Sequence, residues 1–278
     1  MPELPEVQTV ASELHARLLG RTIIDVTTLW PRTIGSPSEN EFRAGLRGAS
    51  IAYVDRRAKY ILIHLDGGAL LVVHLRMTGR IAIDAAASPR DPHTRLVLHL
   101  LDGDELRFAD TRKFGRWHLV AAGETMPLAS FNSLGPEPLS EEFTPSVFVA
   151  RVKGRRGALK AALLDQRLVA GLGNIYVDEA LFRAGLHPQR TLQSLHDGEI
   201  IALHGAIVAV LAQAVGRGGT TFSDYRTTWG HEGGYGEELR VFRRTGQPCP
   251  VCGASIERIV VAGRGTHFCP HCQPRAHP

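Results

Sequence analysis

The four cysteines of this chain all lie near its C-terminal end, in two closely spaced pairs. They are spaced as C-x2-C, 16 intervening residues, and C-x2-C, with cysteines at Cys249, Cys252, Cys269 and Cys272. Two such pairs predict one tetrahedral zinc ion held by four thiolates. Four protein ligands leave no open coordination position, so we expect the zinc to be structural. The alternative, two disulfides, is less expected because no secretion signal precedes them.

Length, composition and charge limit the class of protein and the partners it can have. The chain has 278 residues, enough for two domains, with 44% hydrophobic and 22% charged residues, which is typical of a soluble globular protein. Its net charge of +4 and pI of about 9.0 allow a polyanionic partner without requiring one. The start is not that of a signal peptide, and the longest apolar run, residues 205–215, is too short to cross a bilayer. We therefore expect a cytoplasmic protein with no membrane partner.

The N-terminal stretch offers an unusual nucleophile. Removal of Met1 would leave Pro2 with a free secondary amine, and an α-amino group titrates near ~8, so roughly a tenth is neutral at pH 7. Attack of this amine on a sugar C1′ gives an iminium ion, and the adjacent Glu3 could transfer protons. The alternative is structural: Pro2 and Pro5 open a helix whose N-terminal dipole is complemented by Glu3 and Glu6. Taken alone, these residues favour the structural alternative.

The first half of the chain is predicted to be mainly β-structure after one N-terminal helix. Apolar residues at helical spacing predict a helix over residues 3–19, and Ser38 is expected to cap a second, short one. Strand patterns follow at residues 21–28, 50–54, 60–65, 69–75, 95–101, 105–110 and 117–120. Tight turns such as Asp66-Gly67-Gly68 join them, which predicts an antiparallel sandwich or barrel.

The second half is predicted to be helical. A proline-rich linker at residues 132–138 precedes four helices at residues 145–152, 157–163, 175–184 and 197–215. A glycine-rich stretch, residues 216–236, is expected to be a mobile loop. The predicted organisation is therefore an N-terminal domain, a hinge linker, a helical domain and a zinc module, at residues 1–131, 132–138, 139–239 and 240–274.

Five signatures in this order resemble the formamidopyrimidine-DNA glycosylase family. They are Pro2-Glu3-Leu4-Pro5-Glu6-Val7, Arg112-Lys113-Phe114-Gly115, Gly171-Leu172-Gly173-Asn174-Ile175-Tyr176, Gly218-Gly219-Thr220-Thr221, and the four-cysteine tail containing Gly263-Arg264-Gly265-Thr266. The resemblance covers essentially the whole chain. The related endonuclease VIII branch usually lacks the leucine at position 4 and the Arg-Lys-Phe-Gly run, so the oxidised-purine branch is favoured.

The resemblance implies an α+β, two-domain fold. An N-terminal helix and an antiparallel β-sandwich would precede a helical domain with a helix–two-turns–helix element and a C-terminal four-cysteine zinc finger. It also implies a bifunctional base excision repair enzyme, a glycosylase and AP lyase. The implied partner is double-stranded DNA with oxidised bases, such as 8-oxoguanine or formamidopyrimidines, or with abasic sites. A monomer located with the nucleoid in the cytoplasm is expected.

The resemblance also implies roles for individual residues. Catalytic roles fall on Pro2 as nucleophile, Glu3 as proton donor, Lys59 in β-elimination and Arg264 at the scissile phosphate. DNA-binding roles fall on His74, Met77, His93, Arg112, Phe114, Arg155, Lys160 and Asn174. Three of these, Met77, Arg112 and Phe114, would fill the space left by an extruded nucleotide.

Each implied role has a structural alternative. For Met77 and Phe114 the alternative is core packing, although their basic neighbours argue against burial. For Lys59 it is a solvated charge, for His74 a half-buried histidine and for Asn174 a turn former.

Two departures from the family pattern and two rival functions remain. Gln8 stands where the family commonly has glutamate. Phe242 stands where tyrosine is common, so a phenolic contact to the DNA backbone would be missing.

One rival function is that of an oxidised-pyrimidine glycosylase of the endonuclease VIII branch, and the loop at residues 220–236 would decide between the two branches. The other is a non-catalytic, zinc-containing DNA-binding protein.

Overall fold

A computed structural model describes residues 1–221 and 225–275 of the chain. The chain forms two compact units. The first, the β-rich unit, combines Met1–Asn132 with Arg217–Gly236, and the second, the helical unit, combines Ser133–Gly216 with the residues from Glu237 onward.

The β-rich unit is a sandwich of two sheets preceded by a helix. Its helices are α1 Leu4–Leu18, α2 Glu39–Leu46 and α3 Ala129–Asn132, with a short 3₁₀ helix at Pro31–Thr33. Its strands are β1 Ile23–Thr28, β2 Ile34–Ser36, β3 Ile51–Arg57, β4 Tyr60–Leu65, β5 Leu70–His74, β6 Gly79–Ala85, β7 Thr94–Leu100, β8 Asp104–Asp110 and β9 Arg116–Val120.

Both sheets are antiparallel except at one edge. The four-stranded sheet has the order β1-β7-β8-β6, and the five-stranded sheet the order β2-β9-β5-β4-β3, in which only the β2–β9 pair is parallel. The sequence patterns did not identify β2 and β6. In β6 the sequence has isoleucines two residues apart, Ile81 and Ile83, both of which are buried, so a strand could have been predicted there. The strand β2 has only three residues and depends on β9 for its hydrogen bonds, so no local pattern identifies it.

The core of the β-rich unit confirms the helical spacing predicted at the N-terminus. Every apolar position in the predicted stripe is at most 2% exposed: Val7, Val10, Ala11, Leu14 and Leu18. They pack in one cluster with apolar side chains from both sheets and from α2. Ser38 caps α2 as expected, since its side chain accepts a hydrogen bond from the Glu41 N–H.

In its described residues, up to residue 275, the helical unit contains four main helices and one hairpin. They are α4 Pro145–Lys153, α5 Leu159–Leu164, α6 Asn174–Arg183, α7 Asp197–Gly216, β10 Glu257–Val261 and β11 Arg264–Phe268, with a short 3₁₀ helix at Leu192–Ser194. A further 3₁₀ helix, Tyr235–Glu238, lies where the chain passes from one unit to the other. Among the described residues, only α7 is long and apolar enough to cross a membrane, with a mean hydropathy of 1.8. It packs against α4 and α6 and buries Leu203, Ile207 and Leu211, which makes it the core helix of this unit.

The unit boundaries differ from the predicted domains in two respects, one of which is that the predicted zinc module, residues 240–274, is part of the helical unit. The first boundary falls between Asn132 and Ser133, inside the predicted linker. The segment Arg217–Gly236, predicted to belong to the helical domain, instead belongs to the β-rich unit. Its hydrogen-bonding partners on α1 lie more than 200 residues earlier in the chain, a distance over which local patterns carry no information.

Candidate active site and nucleic-acid interface

The start of α1 holds the candidate nucleophile and proton donor. Pro2 is buried and Glu3 is only 3% exposed, whereas Met1 is 49% exposed. Glu3 is the N-cap of α1, and its N–H donates to Glu6 Oε2 at 2.7 Å. The structural and chemical interpretations of this stretch are therefore compatible, because the same geometry that opens the helix places a buried carboxylate next to Pro2.

Glu6 joins the start of α1 to the glycine-rich segment. Its Oε1 accepts a hydrogen bond from the Thr220 N–H at 2.8 Å. A Cβ at Gly219 would lie 2.7 Å from the same oxygen, and φ there is +79°, so only glycine fits. Burial, followed by the nearby Glu6 charge, raises the pKa of Tyr225, whose protonated hydroxyl donates to the Gly218 carbonyl at 3.1 Å.

Later turns of α1 hold the rest of the described segment. Glu13 Oε2 accepts from both the N–H and the hydroxyl of Thr228 at 2.6 Å. Arg17 donates to the Thr228 carbonyl at 3.1 Å and lies 4.2 Å from the Trp229 ring centroid. The described parts of the expected mobile loop are thus bonded to α1, and residues 222–224 lie outside the described residues. Sequence reasoning missed Glu13 and Arg17, and assigned Glu6 only to the helix dipole.

Lys59 lies in the two-residue turn between β3 and β4. It is 6% exposed, so the solvated-charge alternative is wrong. Ala58, before it, has φ of +53°, and the Ala58 carbonyl accepts from Arg56 at 3.0 Å. Arg56 also donates to Gln8 Oε1 at 3.0 Å. Gln8, although uncharged, therefore connects α1 to the turn that carries Lys59.

His74 is a buried, neutral imidazole. It is 8% exposed, and its Nδ1 accepts from the Arg76 N–H at 2.9 Å, so the ring proton resides on Nε2. Burial, then the positive charges of Arg76 and Lys59, lower the pKa of His74 to about 3. The ring can act as a hydrogen-bond donor, not as a cation. Its burial exceeds that of the half-buried histidine considered from sequence.

The three predicted space-filling residues lie together on the surface of the β-rich unit. Met77 is 42% exposed and Phe114 is 47% exposed, so the core-packing alternative is wrong for both. Arg112 joins them: its Nη1 lies 3.0 Å from Met77 Sδ, and its Cζ lies 4.9 Å from the Phe114 ring centroid. We call Met77, Arg112 and Phe114 the wedge.

His93 lies beside the loop that carries Arg112. Its carbonyl accepts from the Asp110 N–H at 2.9 Å, and its own N–H donates to Asp91 at 2.6 Å. The half-buried ring has Nδ1 3.2 Å from Arg95 Nη2. The structure thus brings His93 close to the wedge loops.

Left-handed backbone conformations cluster at the candidate sites. Among the described residues, five other than glycine have positive φ: Ala58, Arg76, Lys113, Arg243 and Ala262. Three of them immediately precede Lys59, Met77 and Phe114, and Ala262 lies two residues before Arg264. Side chains other than glycine are disfavoured in this region by roughly 1–2 kcal/mol, and such strain concentrates at functional sites.

In the helical unit, α5 and α6 form the helix–two-turns–helix element. Gln166 holds the intervening turns, because its side chain donates to the Leu172 carbonyl at 2.7 Å and accepts from the Gly171 N–H at 2.9 Å. Asn174 is the first residue of α6, and its Nδ2 donates to the Gly265 carbonyl at 2.9 Å. Its buried Oδ1 has no partner within the described part of the chain.

Lys160 is not at the surface. It is 0% exposed, and its Nζ donates to Asp178 Oδ1 at 2.6 Å and lies 3.5 Å from the Gly265 carbonyl. The Lys160 ammonium is therefore enclosed and paired with Asp178 in this structure, and its contact with DNA stays a prediction. Its position indicates that it supports the hairpin formed by β10 and β11.

Two adjacent acids on α6 fix the zinc region. Asp178 Oδ2 accepts from the His267 N–H at 2.9 Å. Glu179 accepts from three consecutive backbone N–H groups, at residues 240–242. Burial raises the pKa of Glu179, and these hydrogen bonds oppose that shift. Phe242 packs its ring 5.0 Å from the His267 ring, so this departure from the family pattern serves packing.

The β10–β11 hairpin presents Arg264. Its turn residues Ala262 and Gly263 have φ of +49° and +70°, as a type I′ turn requires. Arg264 follows as the first residue of β11, and it is exposed. Because Asn174 and Lys160 both bind the next carbonyl, that of Gly265, the buried network sets the position of the Arg264 backbone.

Arg155 is half-buried and already paired. Its Nη1 lies 3.0 Å from Asp165 Oδ2, and the same carboxylate binds Arg167 at 2.9 Å. Its contact with DNA stays a prediction.

The four cysteines form one cluster of the size that zinc requires. Their Sγ atoms all lie within 4.8 Å of one another, with Cys249–Cys272 at 3.8 Å and Cys252–Cys269 at 3.4 Å. Tetrahedral thiolates at 2.3 Å from zinc are separated by roughly 3.8 Å, whereas a disulfide requires about 2.05 Å. The residues therefore fit a Cys₄ zinc site and not two disulfides.

Three family models match consecutive parts of the chain. They are the formamidopyrimidine-DNA glycosylase N-terminal domain at residues 1–117, the H2TH domain of the same enzymes at residues 134–226, and a zinc finger found in FPG and IleRS at residues 246–275. Among curated relatives, a formamidopyrimidine-DNA glycosylase of Symbiobacterium thermophilum is 54% identical over 99% of this chain and 90% of that protein. One of Geobacillus kaustophilus is 47% identical over 98% of this chain and 100% of that protein.

Solved structures agree with these matches. A Lactococcus lactis FPG variant in complex with Fapy-dG-containing DNA has a TM-score of 0.92 and 38% identity, covering 98% of this chain and 100% of that one. The Lactococcus lactis protein with abasic-site DNA has a TM-score of 0.90 at the same identity, covering 98% and 99%. On these matches the chain belongs to the formamidopyrimidine-DNA glycosylase family.

Proposed function

We propose that this protein excises oxidised purines from duplex DNA through the amine of Pro2 and then cleaves the strand at the abasic site. It is a base excision repair enzyme with glycosylase and AP lyase activities, and it carries one structural zinc. Because its relatives act on DNA in bacteria, it works inside the cell. The observation that carries the mechanism is the burial of Pro2 and of the adjacent Glu3 carboxylate at the start of α1.

The first step would exchange one bond at C1′ for another. Once Met1 is removed, the Pro2 nitrogen lone pair attacks C1′ of the extruded nucleotide, and the bond from C1′ to the base breaks. The departing base takes up a proton. Glu3 takes up the proton that the Pro2 nitrogen loses and donates it to O4′ as the sugar ring opens, which leaves an iminium between Pro2 and C1′. The proton on the departing base comes from water.

The iminium would then drive strand cleavage. It accepts the electron pair released when a C2′ proton is removed, so the 3′-phosphate leaves by β-elimination. A second, δ-elimination releases the 5′-phosphate, and water hydrolyses the imine to restore the amine. Lys59, next to the neutral His74, would assist the first elimination, and Arg264 would bind the scissile phosphate.

The wedge would make the nucleotide accessible. Extruding a base costs a few kcal/mol of stacking and pairing. Exposed apolar side chains can occupy the vacated stack, and the guanidinium of Arg112 can bond the orphaned base. His74, with its proton on Nε2, would donate to a phosphate, as would the second N–H of the Asn174 amide. His93 and Arg155 would add further backbone contacts.

Zinc would serve this function without chemistry of its own. Cys249, Cys252, Cys269 and Cys272 would hold it, and it would stabilise the hairpin that carries Arg264. The chain's own residues perform every step above. The relatives' names favour the purine branch over the pyrimidine branch, and membership in an enzyme family argues against a purely DNA-binding protein.

Trapping of the imine tests this proposal. Borohydride added during reaction with an 8-oxoguanine duplex should yield a covalent protein–DNA adduct that peptide mapping assigns to Pro2. One extra residue before Pro2 turns the amine into an amide with a delocalised lone pair, so that variant should bind DNA without forming the adduct. A C-terminally tagged protein is the matched control. An adduct on Lys59, or full activity of the extended protein, would overturn the role of Pro2.

A further inference from the structure

The two loops that carry the wedge meet at one buried carboxylate. Met77 lies in the loop between β5 and β6, and Arg112 and Phe114 lie in the loop between β8 and β9. Asp110, the last residue of β8, is 1% exposed and pairs with Gly79 at the end of the β6–β8 ladder. It therefore lies where both loops leave the sheet.

The Asp110 carboxylate binds donors from both loops. Its Oδ1 accepts from the Thr78 hydroxyl, in a short hydrogen bond, and from the Arg112 N–H at 3.1 Å. Its Oδ2 accepts from the Gly115 N–H at 2.7 Å. The Thr78 oxygen in turn accepts from the Arg112 N–H at 3.1 Å, so the two loops are also bonded directly.

The surrounding backbone allows little adjustment. A Cβ at Gly115 would lie 2.3 Å from the Phe108 ring, and one at Gly79 would lie 2.3 Å from the Leu75 carbonyl. Lys113, between Arg112 and Phe114, has φ of +60°. Such close approaches and a left-handed residue persist only where neighbouring contacts determine the backbone. Here those contacts converge on Asp110.

We propose that Asp110 is the positioning residue of the wedge. Its carboxylate sets the relative position of the two loops, and thereby of the Met77, Arg112 and Phe114 side chains, before DNA arrives. This inference rests on the proposed function and adds to it the group that pre-organises nucleotide extrusion. Pre-organised side chains lose less conformational freedom when they enter the stack, which favours insertion.

Two substitutions separate this role from general stability. Asp110→Asn keeps the shape but replaces one acceptor oxygen with an NH₂ group, which faces a donor and leaves it unsatisfied. Thr78→Val removes the hydroxyl that connects the loops and retains the side-chain shape, whereas Thr78→Ser retains the hydroxyl. Glu105→Gln is the matched control, since Glu105 is a 1% exposed acid on the same strand, β8, that pairs with Arg90 and Arg107 away from the loops.

The readout compares two substrates under single-turnover conditions. Asp110→Asn should lower excision of 8-oxoguanine from a duplex roughly tenfold or more, while cleavage of a pre-formed abasic site changes by less than about threefold. Thr78→Val should lower the ratio of the excision rate to the abasic-site cleavage rate by a smaller factor. Thr78→Ser and Glu105→Gln should leave it unchanged. A 2-aminopurine beside the lesion should show a weaker fluorescence rise with Asp110→Asn, because the wedge enters the stack less often.

Two results would overturn the inference. One is an equal loss on both substrates for Asp110→Asn and Thr78→Val, which would mean general damage to the fold. The other is an unchanged ratio in both folded variants. If the unaltered protein excises 8-oxoguanine normally, either result refutes only the role of Asp110. Failure of the unaltered protein on every lesion would instead refute the proposed function.

Discussion

In the β-rich unit the wedge residues lie on loops that project from a packed sandwich, whereas in the helical unit Lys160 and Asn174 lie inside a buried polar network. Met77 and Phe114 are nearly half exposed, and Lys160 and Asp178 are at most 1% exposed. In the first unit the sheet supplies rigidity and the turns supply reactive groups. In the second, buried charges orient a single exposed group, Arg264.

The two units each bury one lysine that the family resemblance places at the site. Lys59 is 6% exposed, and its charge is one of those that lower the pKa of the nearby His74. Lys160 lies against Asp178, so its charge is already neutralised. The resemblance assigns Lys59 to β-elimination and Lys160 to DNA binding, yet the structure buries both side chains. A motif match therefore does not distinguish a contacting residue from a positioning residue.

The largest expected effect is loss of the zinc. Structural zinc contributes on the order of 10 kcal/mol to the folding of small zinc modules, so Cys249→Ser should disorder the hairpin and abolish the contribution of Arg264 to DNA binding. The β-rich unit, with its own core, should stay folded. Metal analysis, circular dichroism and fluorescence anisotropy with labelled duplex would measure this. His271→Asn, between two ligands, is the matched control, and absence of zinc from fresh, tag-free protein would contradict the site.

Lys160→Met tests the distinction between positioning and contact. Removing one partner of a buried ion pair costs about 3–5 kcal/mol, because Asp178 is left uncompensated, and Asp178→Asn in the same chain should restore part of it. Urea denaturation would measure the loss.

The salt dependence of DNA binding then separates the two roles. Arg264→Ala should reduce the slope of log K against log salt by roughly one, and Lys160→Met should leave the slope unchanged. A reduction of one unit for folded Lys160→Met would confirm the phosphate contact.

The buried neutral histidine of the β-rich unit predicts acid sensitivity. The pKa of His74 is lowered to about 3, so below pH 6.5 the unfolded chain binds a proton that the folded protein excludes. Its contribution to stability is therefore complete above pH 6.5 and is lost as the pH falls, by about 2 kcal/mol at pH 5. His74→Asn should remove this part of the decline in urea midpoint between pH 7 and pH 5. An identical decline in both proteins would contradict the burial of a neutral ring.

Truncation of the wedge should affect two substrates unequally. Met77→Ala and Phe114→Ala should slow excision from a lesion duplex roughly tenfold, with less effect on a pre-formed abasic site, where no base has to be extruded. Single-turnover kinetics on both substrates measure this. Leu101→Ala, at a 70% exposed apolar residue of the same unit, is the control. Equal losses on both substrates would indicate damage to folding.

The smallest effect concerns backbone strain beside Phe114. Lys113 has φ of +60°, and its Nζ lies 4.1 Å from the Trp30 ring centroid. Lys113→Gly and Lys113→Ala both remove that contact, but only glycine relieves the strain. We expect the free energy of unfolding of the glycine variant to exceed that of the alanine variant by about 1 kcal/mol, as measured by urea denaturation. At most positions the alanine variant is the more stable of the two. Equal stability would show that the turn is unstrained.

The members of the wedge were named by resemblance to the family, whereas the class of fold and the zinc ligands follow from the residues themselves. These depend on short-range patterns: apolar residues at helical spacing in α1, glycine turns between strands, and cysteine pairs two residues apart. Such patterns are readable because neighbouring residues share one local geometry.

Which residues act by positioning others depends on the folded chain. The attachment of residues 217–236 to α1 through Glu6 and Glu13, the burial of Lys160 and the position of Asp110 depend on partners that are distant in sequence or on another strand. Whether a polar side chain contacts substrate or supports a neighbour depends on its burial and on the charge opposite it. Both are properties of packing, which no local pattern encodes.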